Sequence, residues 1–321
     1  MANYPTLSRY ANMQVQMKEA MIDGHLFVGH PVEGKDIYVS SVTGGAASNG
    51  QSPANAVLTI TAGLALCTAN QGDRVICLPG HTETLTAAAG IVLSVAGVSI
   101  IGLGVGSQRP TINFGTATTT TITVTAANVS VFNMRFLSTF ADVVTAFDVT
   151  AAGFAVENCE FGDSAIDLNL LSAVKCTSTS DGNANGLRLV NNKFLSQDAA
   201  TLGFVIIAAD ILKVTIEDNV IVSEGTGLAT IFTCLTGKDI RMCSVQRNYL
   251  SSKATAGNLG YSNDTASPNN SGIIANNYIG HADVTAGHVL GVVGGCRMFN
   301  NLSVSTDALS GFVIPAIDVD S

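Results

Sequence analysis

Three acid pairs carry the most obvious chemistry in the chain: Glu157 with Glu160, Asp163 with Asp167, and Glu217 with Asp218. Two carboxyl groups about 5–9 Å apart are what glycoside hydrolysis needs, one to protonate the leaving oxygen and one to act as base or nucleophile. Each pair falls at an expected turn or strand edge, where solvated acids are ordinary. The five histidines (His25, His30, His81, His281, His288) show no HxH or HxxxH spacing, and His81 and His281 sit in expected turns as solvated or hydrogen-bonded rings. Asp181-Gly-Asn-Ala-Asn185 starts like a calcium loop but lacks the later bidentate Glu and the flanking helices. Gly102-Leu-Gly-Val-Gly106 opens no expected helix, so it reads as a chain corner and not a phosphate loop. Seven cysteines (Cys67, Cys77, Cys159, Cys176, Cys234, Cys243, Cys296) form no CxxC pair. They read as small buried hydrophobes of a chain folded in a reducing compartment, with no disulfide or metal role. No catalytic residue, cofactor or metal is expected.

Side chains this scattered in sequence meet only if the fold stacks them, and a repeat does so. Ala96–Gly102 (AGVSIIG) returns as Ala127–Asn133 (ANVSVFN). With Ile100 as marker, the pattern recurs at Val131, Val156, Leu189, Ile216, Val245, Ile274 and Met298, at intervals of 31, 25, 33, 27, 29, 29 and 24 residues. So loose a period suits a solenoid whose strands stay aligned while its corner loops vary. After each marker from Val131 onward comes an Asn-containing turn: Asn133, Asn158, Asn191-Asn192, Asp218-Asn219, Asn248, Asn276-Asn277 and Asn300-Asn301. Asn tolerates the left-handed backbone of sharp turns, and amides stacked about 4.8 Å apart can bond along the axis as a ladder. Phe136, Phe161, Phe194, Ile221, Leu250, Ile279 and Val304, just past the turn, are expected to stack inside. Alternating segments such as Thr120–Thr125 (TTITVT) and Val144–Thr150 (VTAFDVT) supply a second strand per coil.

Ahead of the repeat, residues 1–35 form an N-terminal arm. Ser8–Met21 is expected as a short helix ended by Gly24, and its Tyr10, Met13, Met17 and Met21 are the candidate partner-binding residues, since Met adapts to a docking surface. Residues 36–321 form the solenoid, beginning with the strand Asp36–Ser40. Residues 52–70 are expected as a capping helix, starting at Ser52-Pro53 and placing Val57, Ile60, Leu64 and Cys67 on one face. Laid across the end of a parallel stack, such a helix would cover both the open core and the unpaired backbone row.

Only 12% of residues are charged, with a formal charge of −9. That balance repels phosphate backbones and anionic headgroups, so neither nucleic acid nor a membrane is an expected partner. No signal-peptide pattern follows Met1 and no apolar run is long enough to span a bilayer. The chain has no Trp and six Tyr. A long sugar-gripping groove is therefore poorly furnished, and Tyr249, Tyr261 and Tyr278 are the best candidates for an aromatic platform.

The succession DIYVS, a Gly/Asn loop, SPANAVLTITAGLALCTANQGDRVICLPGHTETL and AGVSIIGLG resembles the N-terminal coils of right-handed parallel β-helix proteins of the pectin-lyase-like superfamily. More narrowly, CTANQGD, LPGHTETL and AGVSIIGLGVGSQRPTI resemble bacteriophage-encoded β-helix proteins found among virion structural components, over residues 36–136. The resemblance implies an all-β, right-handed single-stranded parallel β-helix of about ten coils. It also implies a virion protein, assembled in the host cytoplasm, that decorates or cements the capsid through contacts with other virion proteins. A homotrimer is expected partly from that resemblance and partly because three solenoids can bury flat Thr/Ala-rich faces together. The alternative is a tail fibre or tailspike-like protein that binds a host-surface glycan or cleaves it as a polysaccharide depolymerase. The NTD, DD, GHG and RIK phrases of polygalacturonase-type enzymes are absent, and no catalysis is expected.

Overall fold

A computed structural model describes residues 21–22, 25–26, 34–177, 182–227, 230–235, 237–254, 260–262, 270–282, 288–290, 295–305, 314–315 and 317–318. The chain divides into two units, Met1–Glu33 and Gly34–Ser321. In the first, the strands Met21–Ile22 and His25–Leu26 pair antiparallel, with Met21 opposite Leu26. Met21 is thus in a strand and not at the end of a helix; Asp-Gly, the dipeptide between the strands, is a strong hairpin former. Tyr10, Met13 and Met17 lie outside the described residues.

The second unit is an all-β parallel solenoid; its described residues form three long sheets and a two-stranded one that pairs Ile211–Leu212 with Ile240–Arg241. Ten strands from Asp36–Val39 to Cys296–Phe299 make the first sheet. The second also has ten, from Thr82–Leu85 to Ile314–Pro315, and the third has nine, from Ile91–Leu93 to Ile317–Asp318. Crossovers between parallel strands of one sheet are right-handed almost without exception. Nine steps of about 4.8 Å make the first sheet roughly 43 Å long. All eight repeat markers stand opposite one another in this sheet, Ile100 on Val131, then Val156, Leu189, Ile216, Val245, Ile274 and Met298. The seven from Ile100 to Ile274 are buried and Met298 packs against the core. In the second sheet Phe136, Phe161, Phe194, Ile221, Leu250 and Ile279 stack in register. The next member is Ser303 and not Val304, which pairs with Gly280.

The Asn corner joining the first sheet to the second does two jobs with two adjacent residues. Asn133, Asn158, Asn191, Asp218, Arg247, Asn276 and Asn300 take the left-handed conformation, with φ between 53° and 57°. The residues that follow, Asn192, Asn219, Asn248, Asn277 and Asn301, are buried and form the ladder. The backbone N–H and Nδ2 of Asn248 both donate to Asn277 Oδ1, at 2.9 and 3.0 Å, and Nδ2 also donates to the Ile216 carbonyl at 2.8 Å. The same triad links Asn192, Asn219 and Asn277 to their next neighbours. At the N-terminal end it runs into Cys159, whose N–H donates to Asn192 Oδ1, and then Met134.

The capping helix is shorter than 52–70. Ser52 makes no capping hydrogen bond, Pro53–Asn55 is a separate 3-10 turn, and Ala56 is extended with ψ 144°. The α-helix is Ile60–Leu64, capped by Thr59, whose hydroxyl accepts the Ala62 N–H at 3.1 Å. β-Branched Val57 instead joins the edge: it bridges Val39, its N–H donates to the Tyr38 carbonyl, and its carbonyl accepts the Ser40 N–H. Helix and loop therefore divide the capping work. Val57, Ile60 and Leu64 are buried against the first strands, while Gly50 and Val57 satisfy the backbone row of Asp36–Val39. At the other end Ile314–Pro315 pairs antiparallel with Leu302–Ser305.

Candidate functional site

The outward strand positions and corners hold the ionisable side chains, and most of those described tie one coil to another. Arg74 Nε meets Asp36 Oδ1 at 2.6 Å, Arg188 Nε meets Glu157 Oε1 at 2.7 Å, and Lys253 Nζ meets Glu224 Oε2 at 2.6 Å. Arg247 reaches both Glu217 and Asp218, at 2.8 Å each. Its guanidinium holds the Asp218 carboxyl below its ordinary range, chiefly by hydrogen bonding. Glu160 takes Arg109 at 3.3 Å and Arg135 at 3.9 Å. The pair Glu157 and Glu160 is thereby separated, one acid facing outward on each side of the Asn corner, whereas Glu217 and Asp218 share one cation.

His81 and Glu83 are a motif whose partners the sequence did not show. His81 is fully buried, not solvated. Its Nδ1 accepts the Ser41 N–H at 2.9 Å, which leaves Nε2 to carry the proton and donate it to Glu83 Oε1 at 2.9 Å. Glu83 Oε1 also accepts the Ile60 N–H at 2.5 Å, the first residue of the helix. Glu83 stands in the inward column that continues as Ile112 and Phe136. A carboxylate at the mouth of an apolar tube is satisfied by an imidazole and a helix N-terminus, and the cap is fastened to the first coil.

Asp163 and Asp167 also separate. Asp167 is exposed, whereas Asp163 is only 6% exposed and its two oxygens accept the N–H groups of Leu170 and Gln197, at 3.0 and 2.7 Å. Burial first, with the nearby Asp198 carboxylate, pushes its pKa up to about 6 against the pull of the Gln197, Leu170 and Asp198 amides. On the outward face of the third sheet Asp148 stands beside Lys175 in register, and its carboxylate accepts the Thr177 hydroxyl. Among the described residues no group of three His, Cys, Asp or Glu is placed to hold a metal ion, and no helix is long and apolar enough to cross a membrane.

Tyr249 and Tyr278 pair in the second sheet with ring centroids 4.9 Å apart and planes 5° apart. Coplanar rings cannot approach so closely, so the two rings lie face to face, turning their faces to each other and to Val220 and Leu302 in the same column. Tyr261 belongs to the third sheet, on another side of the solenoid. The three tyrosines therefore make no common platform. Gly106–Gln108 is a single 3-10 turn at a coil corner, and Asn185 Oδ1 accepts the Leu212 N–H of the next coil at 2.7 Å. Burial pushes the Cys67 thiol up to about 11 and those of Cys159 and Cys176 up to about 12, leaving them inert.

No family model matches the chain, and no curated protein sequence does. Among solved structures the chain is similar to a rhamnogalacturonan lyase, at 12% identity and a TM-score of 0.42 over 77% of this chain and 69% of that one. It is also similar to the pectate lyase Pel9A, at 14% identity and a TM-score of 0.41 over 85% of this chain and 78% of that one.

Proposed function

We propose that this chain is a non-catalytic structural component of a bacteriophage virion. In this reading it is a capsid decoration or cement protein, assembled in the host cytoplasm, with the solenoid as its rigid body and Met1–Glu33 as its anchor to the shell. The observation that carries the reading is how the charged side chains are used. Asp36, Glu157, Glu160, Glu217, Asp218 and Glu224 each pair with a cation of another coil, so acids that could have gathered in a groove are spread along the solenoid and neutralised. The motif resemblance over residues 36–136 supplies the virion setting, and flat outward faces suit side-by-side packing of three copies. Deleting residues 1–33 tests it. The truncated protein is expected to fold and no longer join the particle; normal occupancy in virions would refute the anchoring.

A second reading, a polysaccharide-degrading protein, is favoured by one observation: an acid and a base, Asp148 and Lys175, stand in register on adjacent strands of the third sheet. Release of sugar ends from a host glycan by the wild type, lost in Asp148→Asn and Lys175→Ala, would establish it over the first.

A further inference from the structure

We infer that Cys243, Cys296 and Met298 form a binding site for a soft monovalent d10 metal ion of the Cu(I) class at the C-terminal end of the first sheet. Cys243 and Cys296 lie on strands separated by one other, Gly272–Ala275, and Gly272 stands between them in register. Because that residue is glycine, the two sulfurs meet across it at 3.7 Å. A Cβ at position 272 would sit 2.7 Å from Cys243 Sγ, and Gly272 has φ 137°, which side-chain-bearing residues rarely adopt. The gap is thus a feature of the backbone and not an accident of rotamers.

A disulfide does not suit this spacing. Two inter-strand steps put the Cα atoms roughly 9.6 Å apart, beyond the limit of about 7 Å for a bridge. A bridging metal suits it well. Metal–thiolate bonds of about 2.3 Å set two sulfurs about 3.8 Å apart at a tetrahedral angle and about 4.0 Å at a trigonal one. Met298 offers a third soft donor beside the pair: it stands two residues beyond Cys296 on the same face of Cys296–Phe299, and both pack against the core. Two thiolates and a thioether are soft donors, and such a set selects a soft ion over Mg²⁺ or Ca²⁺. Cys243 is buried while Cys296 is half-buried, so an ion has an approach from the Cys296 side. Binding exchanges two S–H bonds for two metal–sulfur bonds, the protons pass to solvent, and no electron moves.

The test uses the reduced full-length chain and Ag(I), a redox-stable probe of the same class, in chloride-free buffer. Bound metal is measured by equilibrium dialysis and each cysteine's reaction with iodoacetamide by mass spectrometry. One tightly held ion per chain is expected, with Cys296 alkylation slowed at least tenfold. Cys296→Ser should abolish both effects, Met298→Leu should weaken binding, and Cys67→Ser should leave it unchanged. Equal alkylation of wild-type Cys296 with and without Ag(I) would overturn the site, as would full binding by Cys296→Ser. Binding of Zn²⁺ in place of Ag(I) would overturn the assignment to a soft monovalent ion. Should Cys243→Ser fail to fold, the half-buried Cys296 variant and the protection assay on the wild type still decide the matter.

Discussion

The two halves of the solenoid hold one register by different physics. From the coil of Phe114 to that of Phe204 the interior is aromatic: Phe136 and Phe161 stack at 5.1 Å, and Phe147 and Phe204 meet Phe161 edge-on at 6.1 and 6.2 Å. At the earlier corners of that stretch the position inside the tube is Met134 and then Cys159, whose side chains donate no amide to the next coil. Past Phe194 the interior column of the second sheet turns aliphatic, Ile221, Leu250 and Ile279, and the corner, starting at Asn192, is a continuous amide ladder to Asn301. Large rings fill space and fix register by shape. Ile and Leu are tolerant of small slips, so there the register is fixed by amides that bond only when the coils align.

The harshest way to break this comparison is Val156→Asp, which places a charge at a position with no exposure in the aromatic half. It should abolish soluble folding, and a variant melting with the wild type would show the register to be wrong. Phe161→Ala should cost about 3–5 kcal/mol through the cavity it leaves. Asn248→Ala should cost about 2–4 kcal/mol, because it strips partners from two buried N–H groups and a carbonyl at once. The two variants sharpen the contrast if amide exchange rises near Ile216–Asn277 for Asn248→Ala and around Phe136–Phe204 for Phe161→Ala. Identical exchange maps would mean that the halves do not differ.

A smaller effect follows from Asp163, the buried acid within the aromatic half. Its folded pKa of about 6 lies above its ordinary value of 3.8, so the folded state binds the proton more tightly than the unfolded one. Its contribution is full below about pH 4 and is lost as pH rises through about 6, by at most about 3 kcal/mol. Asp163→Asn should flatten the stability profile in that window, seen as denaturation midpoints that no longer fall between pH 4 and pH 6. The smallest effect is expected at exposed Arg247, a left-handed residue at the corner of the aliphatic half. Arg247→Asn loses two solvated ion pairs but relieves the backbone, so its melting temperature should match the wild type at physiological salt.

The repeat markers were legible because apolar residues must recur wherever coils stack, and the Asn turn fixed which residue of each coil to compare. The amide ladder was legible for the same reason, but not its division between Asn191 and Asn192, which depends on the φ of one residue. Contacts between distant segments were not legible. Nothing near His81 in sequence announces Ser41 or Ile60 as partners, and Tyr261 resembled Tyr249 and Tyr278 until the sheets assigned it elsewhere. The length of the cap failed locally: Ser52-Pro53 has the residues of a helix start, yet Val57 gains more as an edge partner of Val39. The thiol pair was hidden because its condition is a glycine midway between the cysteines.

The claim that this is a passive virion body is tested most directly by imaging intact particles with the full-length chain and with residues 1–33 deleted. The account predicts density for the solenoid on the capsid surface that vanishes in the deletion. Density at the tail tip, or density on the head unchanged by the deletion, would contradict it.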